Sequence, residues 1–359
     1  LLAAALLAGC DGGDSTVVFG LAGPFGEGYG QNMQRGAEMA VREINANGGI
    51  RGRRLELRML DDRASPEGAV HVAEQLFADP EVVAVVGHVN SGAMIEAAGI
   101  YSRGLPALAT SATSPEISRL GPWVFRVASS DSANAVTLAR AIAGSSSTTA
   151  ILYENDSYGR GLSESFRVAA EAGGVRVIET SPYLGSTQNF VPYLQRMRSR
   201  GVETVFIAGL EDGASRIIAQ ARELGLDIRF IGGDGLEGLI ALGPLYDGTE
   251  VGLLFHPAQS PRARTFAETF RAGYDREPDS FAALGYDAVH LLARAAADGG
   301  RTRERIRGYL ERVGAEGGHP AFDGVTGTVR FDANGDPAAK EFAIGTIADG
   351  RIVLQGGAR

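Results

Sequence analysis

Residues 81–115 read EVVAVVGHVNSGAMIEAAGIYSRGLPALATSATSP. Val82–Val86 is an unbroken apolar run of strand length, the pattern of a parallel strand covered on both faces. His88-Val89-Asn90-Ser91-Gly92 comes next and opens a helix through Met94, Ile95 and Ala98 to Tyr101. Leu105–Ala109 is the next strand. In the turn after it, Ser114 as N-cap, Pro115 at the first helical position and Glu116 in the first turn predict a second helix start. Two strand-to-helix turns side by side at the carboxyl edge of a parallel sheet offer free N–H groups and hydroxyls, which suits a carboxylate.

The same alternation runs outward in both directions. Upstream, Val17–Gly20 is a strand that enters a glycine-rich loop at residues 20–30 and then a helix around Met33–Ile44, stopped by Asn45–Gly49. Leu55–Leu60 is a strand ending at Asp61-Asp62, and Ser65-Pro66-Glu67 repeats the Ser-Pro-Glu helix start. Downstream, Trp123–Val127 is a strand, and composition marks a join at Ala128–Asp131. Beyond it lies a second series: a helix at Ala135–Ile142, then strands at 150–153, 175–178, 204–207, 230–231 and 251–255, most of them leading into a helix. Helices are expected at Pro261–Tyr274, Ala282–Ala297 and Thr302–Val313. Segments 323–331, 343–348 and 352–354 read as closing β-structure around an Asn334-Gly335-Asp336 turn. Such alternation predicts doubly wound α/β layers.

With 359 residues the chain can form two domains with proper cores. A net charge of −9 and the lack of any basic stripe argue against nucleic acid as a partner. Cys10 is the one cysteine, so neither a disulfide framework nor a thiolate metal cluster is expected. It closes the apolar run Leu1–Gly9 as Leu7-Ala8-Gly9-Cys10, which resembles a bacterial lipobox. Residues 1–15 are therefore expected to be a signal-peptide remnant, lipobox and tether, cleaved before Cys10 and acylated there. No other stretch approaches the ~18 apolar residues a membrane span needs. The expectation is an extracytoplasmic protein whose membrane contact is a lipid anchor at Cys10.

Catalytic signatures are missing. Gly26-Glu27-Gly28-Tyr29-Gly30 lacks dinucleotide spacing, no Gly-Lys-Ser/Thr comes after it, and there is no Gly-x-Ser-x-Gly elbow. His71, His88, His256, His290 and His319 are too scattered for paired metal ligation. Neither an enzyme nor a cofactor is expected. What the strand ends do offer is Ser, Thr, Tyr and Asp. A cleft lined by Tyr29, Ser91, Thr113, Tyr158 and Asp234 would hold a carboxylate at its hydroxyls and an ammonium at Asp234. On residue type alone each of these serves equally well as a cap or a core aromatic.

Several segments stand out in their order and spacing: Gly23-Pro24, Gly36-Ala37, Ile44–Gly52, Asp61-Asp62, Val86-Gly87-His88 with Ser91, Ser111–Glu116 and Phe125-Arg126. In the second half come Tyr158–Gly161, Gln220–Gly225, Gly232–Gly235, Leu284–Ala288 and Phe331-Asp332 with Gly335-Asp336. Together, from Val17 to about Leu354, they resemble the leucine/isoleucine/valine-binding proteins, type 1 periplasmic binding proteins that serve ABC importers. The resemblance implies an α/β fold of two Rossmann-like doubly wound lobes joined by three crossover strands and closing by hinge bending. The N-terminal lobe would comprise residues 16–130 and 258–335, the C-terminal lobe 131–257 and 336–359.

It also implies a monomer that captures an amino acid, branched-chain or similarly amphoteric, for ABC permease subunits; a ligand-sensing receptor subunit for amides or other small solutes is the alternative. Carried over by position, Ser91 and Thr113 would hold the ligand's charged groups, helped by Ser111 and Ala112. Asp234 would take the ammonium. Tyr29, Tyr158 and Phe281 would be aromatic or wall positions beside Val89 and Asn90. Leu210 stands where the family has an aromatic, with Glu211-Asp212 after it, so a polar or larger ligand side chain is expected to be accommodated.

Overall fold

The computed structural model describes residues 16–144, 148–340 and 342–355, so the lipobox and Cys10 lie outside the described residues. The first sheet has five parallel strands, β1 (Thr16–Gly23), β2 (Arg54–Asp61), β3 (Val82–Val86), β4 (Ala107–Ala109) and β5 (Val124–Arg126), in the order β2-β1-β3-β4-β5. Its connecting helices are α1 (Gly28–Ala46), α2 (Pro66–Ala78) and α3 (Ser91–Tyr101). The apolar run that predicted β3 is buried almost throughout, as a central strand covered by helices on both faces requires. Ser65 caps α2 by accepting from the Gly68 N–H at 2.9 Å.

The second sheet has seven strands in the order β14-β13-β10-β9-β8-β6-β7. After α4 (Asp131–Ile142) come β6 (Thr149–Glu154), α5 (Ser157–Ala172), β7 (Val177–Tyr183), α6 (Val191–Ser199), β8 (Thr204–Ala208), α7 (Glu211–Glu223), β9 (Arg229–Gly232) and β10 (Glu250–Leu253). These strands are parallel to one another, and β13 (Ala343–Ala348) and β14 (Arg351–Leu354) extend the edge antiparallel. Between β10 and β13 run α8 (Pro261–Tyr274), α9 (Ser280–Asp298), α10 (Arg303–Leu310) and the hairpin β11 (Phe322–Gly324)/β12 (Gly327–Val329).

The chain crosses between the lobes three times: after β5, after β10 and after β12. Helix α9 returns to the first lobe and lies along α1 with backbones nearly touching. A Cβ placed on Gly36 would overlap the Ala282 carbonyl, and one on Gly285 would crowd that of Met33. No described helix is long and apolar enough to cross a membrane.

Two expectations need correction. Ser114 does cap, accepting from the Glu116 N–H, but the segment it starts is a five-residue 3-10 turn, Pro115–Arg119, and not an α-helix. The Gly121-Pro122 pair stops it before any apolar face can develop. The Asn334–Asp336 turn is closed by a single antiparallel bridge between Phe331 and Pro337 rather than by two full strands; it lies on the third crossover, where the Asp332 carboxylate accepts from the N–H groups of Asn334 (2.8 Å) and Asp336 (3.0 Å).

The first and third crossovers are tied together. Arg126, fully buried, makes a two-pronged contact with Asp336, both N···O distances 2.7 Å. Lys340 is also buried; its Nζ donates to the Val127 carbonyl at 2.9 Å and to Thr326 Oγ1 at 2.6 Å. Burial draws the Lys340 pKa down to about 8, opposed by the nearby Asp287 carboxylate.

Candidate functional site

A narrow cavity of about 20 Å³ lies between the two lobes, lined by Tyr29, Val89, Asn90, Ser91, Ser111, Asp156, Tyr158, Leu210, Asp234, Gly235 and Phe281. Nine of the residues singled out from sequence therefore share one cavity. Phe281 comes from the start of α9, far along the chain from the other first-lobe residues; only the return of that helix brings it to the pocket.

The first-lobe wall is built from the carboxyl ends of β1, β3 and β4. Asn90 occupies the N-cap position of α3, but its side chain does not cap the helix. Its amide instead pairs with the Tyr29 hydroxyl, Nδ2 donating at 3.1 Å. The first-turn N–H groups of α3 are thus left without that side-chain acceptor, at the positive end of the helix dipole. Ser91 begins the helix, and its hydroxyl accepts from the Ser114 N–H at 3.2 Å, joining the two loops of the opening stretch. The Ser111 hydroxyl donates to the Val89 carbonyl at 3.3 Å. Tyr29 packs against Phe281 with ring centroids 5.3 Å apart.

The second-lobe wall has the opposite polarity. Asp234, 4% exposed, accepts from the Tyr158 hydroxyl at 2.9 Å, and that hydroxyl in turn accepts from the Gly235 N–H at 3.3 Å. Burial raises the Asp234 pKa to about 6, while the hydrogen bonds from Tyr158 and from backbone N–H groups hold it down in part. No basic side chain lines the pocket among the described residues, so nothing there neutralises Asp234. Burial, reinforced by the Asp234 charge, pushes the Tyr158 phenol well up, so it stays a hydrogen-bond donor. Leu210, at the N-cap position of α7, supplies the apolar part of this wall and no capping group.

Asp156 and Gly235 line the pocket without having been expected there as contact residues. Asp156 caps α5 by accepting from the Gly159 N–H at 2.7 Å, and burial raises its pKa. An acid at a strand-to-helix turn, in Asn155-Asp156-Ser157-Tyr158, was the available signal. Thr113 and Ala112 do not line the pocket. Both are fully buried, Ala112 in the apolar core and Thr113 with its side chain turned to Asp131. The Thr113 carbonyl accepts from Arg126 Nη1 at 3.0 Å and from the Asp131 N–H at 2.9 Å, so this loop is pinned to the crossover. Asp131 itself is buried on the first crossover, its carboxyl held far above the usual range by burial and then by Asp234.

His88 is fully buried, between Asp62 (Nδ1 to Oδ2, 2.6 Å) and the Tyr101 hydroxyl (2.9 Å from Nε2), and takes no part in the pocket. The Asp61-Asp62 pair thus divides: Asp62 is an interior acceptor, and Asp61 accepts from the Phe25 and Arg63 N–H groups at an exposed turn. No group of three or more candidate metal ligands occurs among the described residues.

A Leu/Ile/Val-binding protein homolog of Brucella suis is 30% identical over 319 residues, which cover 86% of this chain and 83% of that protein. An ABC transporter substrate-binding protein from Desulfitobacterium hafniense, solved in complex with Leu, is 32% identical with a TM-score of 0.81, covering 95% of this chain and all of that one. The branched-chain amino acid transporter substrate-binding protein LivJ of Streptococcus pneumoniae, solved with isoleucine, is 26% identical with a TM-score of 0.85, covering 95% and 99%. The family model described as periplasmic binding protein matches residues 17–351, and the chain belongs to that family.

Proposed function

We propose that the protein captures an α-amino acid, branched-chain or similarly amphoteric, outside the cytoplasmic membrane and delivers it to an ABC importer. The observation that carries this is the polarity of the pocket: a helix start without a side-chain cap, with Ser91 and Ser111, on one lobe faces a buried, uncompensated Asp234 on the other. A carboxylate fits the first end and an ammonium the second, which is how a zwitterion is recognised. A ligand with a carboxylate and no amine would leave Asp234 buried without a counter-charge. The names of the relatives, for Leu, Ile and Val, agree with this choice.

In this reading Ser91 and Ser111 hold the carboxylate, with Thr113 and Ala112 bracing that loop from behind. Asp234 and Tyr158 hold the amine. Tyr29, Val89, Asn90, Leu210 and Phe281 surround the side chain. Leu210 is smaller than an aromatic and adjoins Glu211-Asp212, which leaves room for ligand side chains beyond the branched aliphatics. The lobes would divide at residues 130/131, 257/258 and 335/336. A monomer tethered by acyl chains on Cys10 completes the proposal.

A thermal-shift screen tests it, because a ligand that binds only the folded state raises the apparent stability. Free α-amino acids should raise the midpoint; amides, urea and simple aromatic acids should leave it unmoved. Stabilisation by an aromatic carboxylate without response to any amino acid would overturn the assignment.

A further inference from the structure

Three residues after Asp234, on the same 3-10 segment of the second lobe, Glu237 is 4% exposed and makes a contact the pocket itself does not need. Its carboxylate reaches Ser280, the first residue of α9 in the other lobe: Oε2 accepts from the Ser280 N–H at 2.9 Å, and Oε1 meets the Ser280 hydroxyl. That hydroxyl is already the acceptor for the Leu254 and Phe255 N–H groups, each at 3.0 Å, on the second crossover. Its single proton is therefore left for Glu237. One carboxylate, one hydroxyl and two crossover amides form a closed set joining both lobes and the hinge. Ser280 directly precedes Phe281, and Glu237 comes one turn of the 3-10 segment after Asp234. The contact thus fixes the approach of the ammonium-binding acid to the aromatic wall.

Glu237's neighbours are acids. Burial and then the Asp279 charge push its carboxyl well above the usual range, held down in part by the Ser280 hydroxyl and N–H. Among the described residues, no basic side chain hydrogen-bonded to it offsets this. The carboxylates that act on it are Asp279, which caps α9 through the Ala282 N–H at 2.8 Å and takes the Asn32 amide at 2.6 Å, and Asp234. A buried acid retained next to two others is costly unless its hydrogen bonds serve a purpose.

We infer that Glu237 is a positioning residue for ligand capture, its bond to Ser280 holding the two lobes at the closed separation. The inference rests on the amino-acid reading of the pocket. The test compares the wild type with Glu237→Gln and Ser280→Ala, using a saturating mixture of the proteinogenic amino acids as probe and small-angle scattering with and without it. The wild type should contract on addition. Either variant should contract less, and should bind the most stabilising amino acid of that mixture about tenfold more weakly by calorimetry, as expected when a buried polar group loses a hydrogen-bond partner. A merely structural role would lower the melting temperature and leave the contraction intact. Should one variant fail to fold, the other carries the same comparison from the opposite lobe. Wild-type contraction and affinity in a folded variant overturn the inference. Failure of Asp234→Asn to weaken binding would instead overturn the reading of the pocket, so the two failures are distinct.

Discussion

Arg126 and Asp336, separated by 210 positions, form a bidentate ion pair that holds the first crossover to the third. The same guanidinium donates to the carbonyls of Thr113 and Ser114 (3.0 and 2.9 Å), the loop that carries one wall of the pocket. The pair is therefore part of the hinge and also a brace for the site.

Asp336→Asn should destabilise the protein by about 3 kcal/mol, the lower end of the range for stranding a buried charge, since Asp336 is 16% exposed while Arg126 is wholly buried. Equilibrium urea unfolding measures it; a change under ~0.5 kcal/mol would mean that the backbone carbonyls alone satisfy Arg126.

Asp234→Asn should weaken amino-acid binding by more than about tenfold in calorimetry, because the ligand ammonium loses its counter-charge. The same change should stabilise the ligand-free protein at pH 7. A folded-state pKa of about 6 against an ordinary 3.8 means the ionised form is disfavoured on folding, by on the order of 1–3 kcal/mol. A variant that neither loses affinity nor gains stability would remove Asp234 from the role of ammonium acceptor.

The pH dependence comes from the same group. Amino-acid affinity should fall as pH drops below about 6, where Asp234 takes a proton and stops attracting the ammonium. Without ligand the sign is reversed. Between pH 3.8 and about 6 the native state holds more protons than the unfolded state, so this residue's contribution to stability is lost as pH rises. The stability difference between wild type and Asp234→Asn should grow across that window, and a difference constant from about pH 4 to 7 would contradict the assignment.

Ser91→Ala would remove the proposed carboxylate contact and also removes the acceptor for the Ser114 N–H, but leaves the backbone of α3 in place. Free amino acids should bind about 1–2 kcal/mol more weakly. The corresponding amino-acid amides should be less affected; equal losses for acid and amide would show that Ser91 does not meet the carboxylate.

Sequence pattern served well where the cause was local. The run at Val82–Val86 became β3, Ser65-Pro66-Glu67 became the start of α2, and Pro261–Tyr274 is α8 to the residue. Ser114-Pro115-Glu116 shows the limit of that signal, since a cap fixes where a helix begins and says nothing of how far it runs. The pocket wall was legible at Ser91, Tyr158 and Asp234 because strand-end position and residue type coincide there. Glu237 and Asp131 gave no such sign: each is an acid in an ordinary-looking segment, and only long-range packing buries it. Thr113 carried the pattern of a contact residue, yet the anchoring of its carbonyl by Arg126 sets it behind the wall.

The close approach of α1 and α9 has a bearing on how the molecule comes into being. Gly36 and Gly285 allow the two backbones to meet, so the inner side of α1 has its proper neighbour only when residues 280–298 are present. Those residues are made after every strand of the first sheet and after β6–β10 of the second. The lobe that starts the chain is therefore the one that waits, its helix α1 uncovered while the other lobe's parallel strands are already complete. A nascent chain of this protein has more apolar surface to shield late in its synthesis than the order of its lobes suggests.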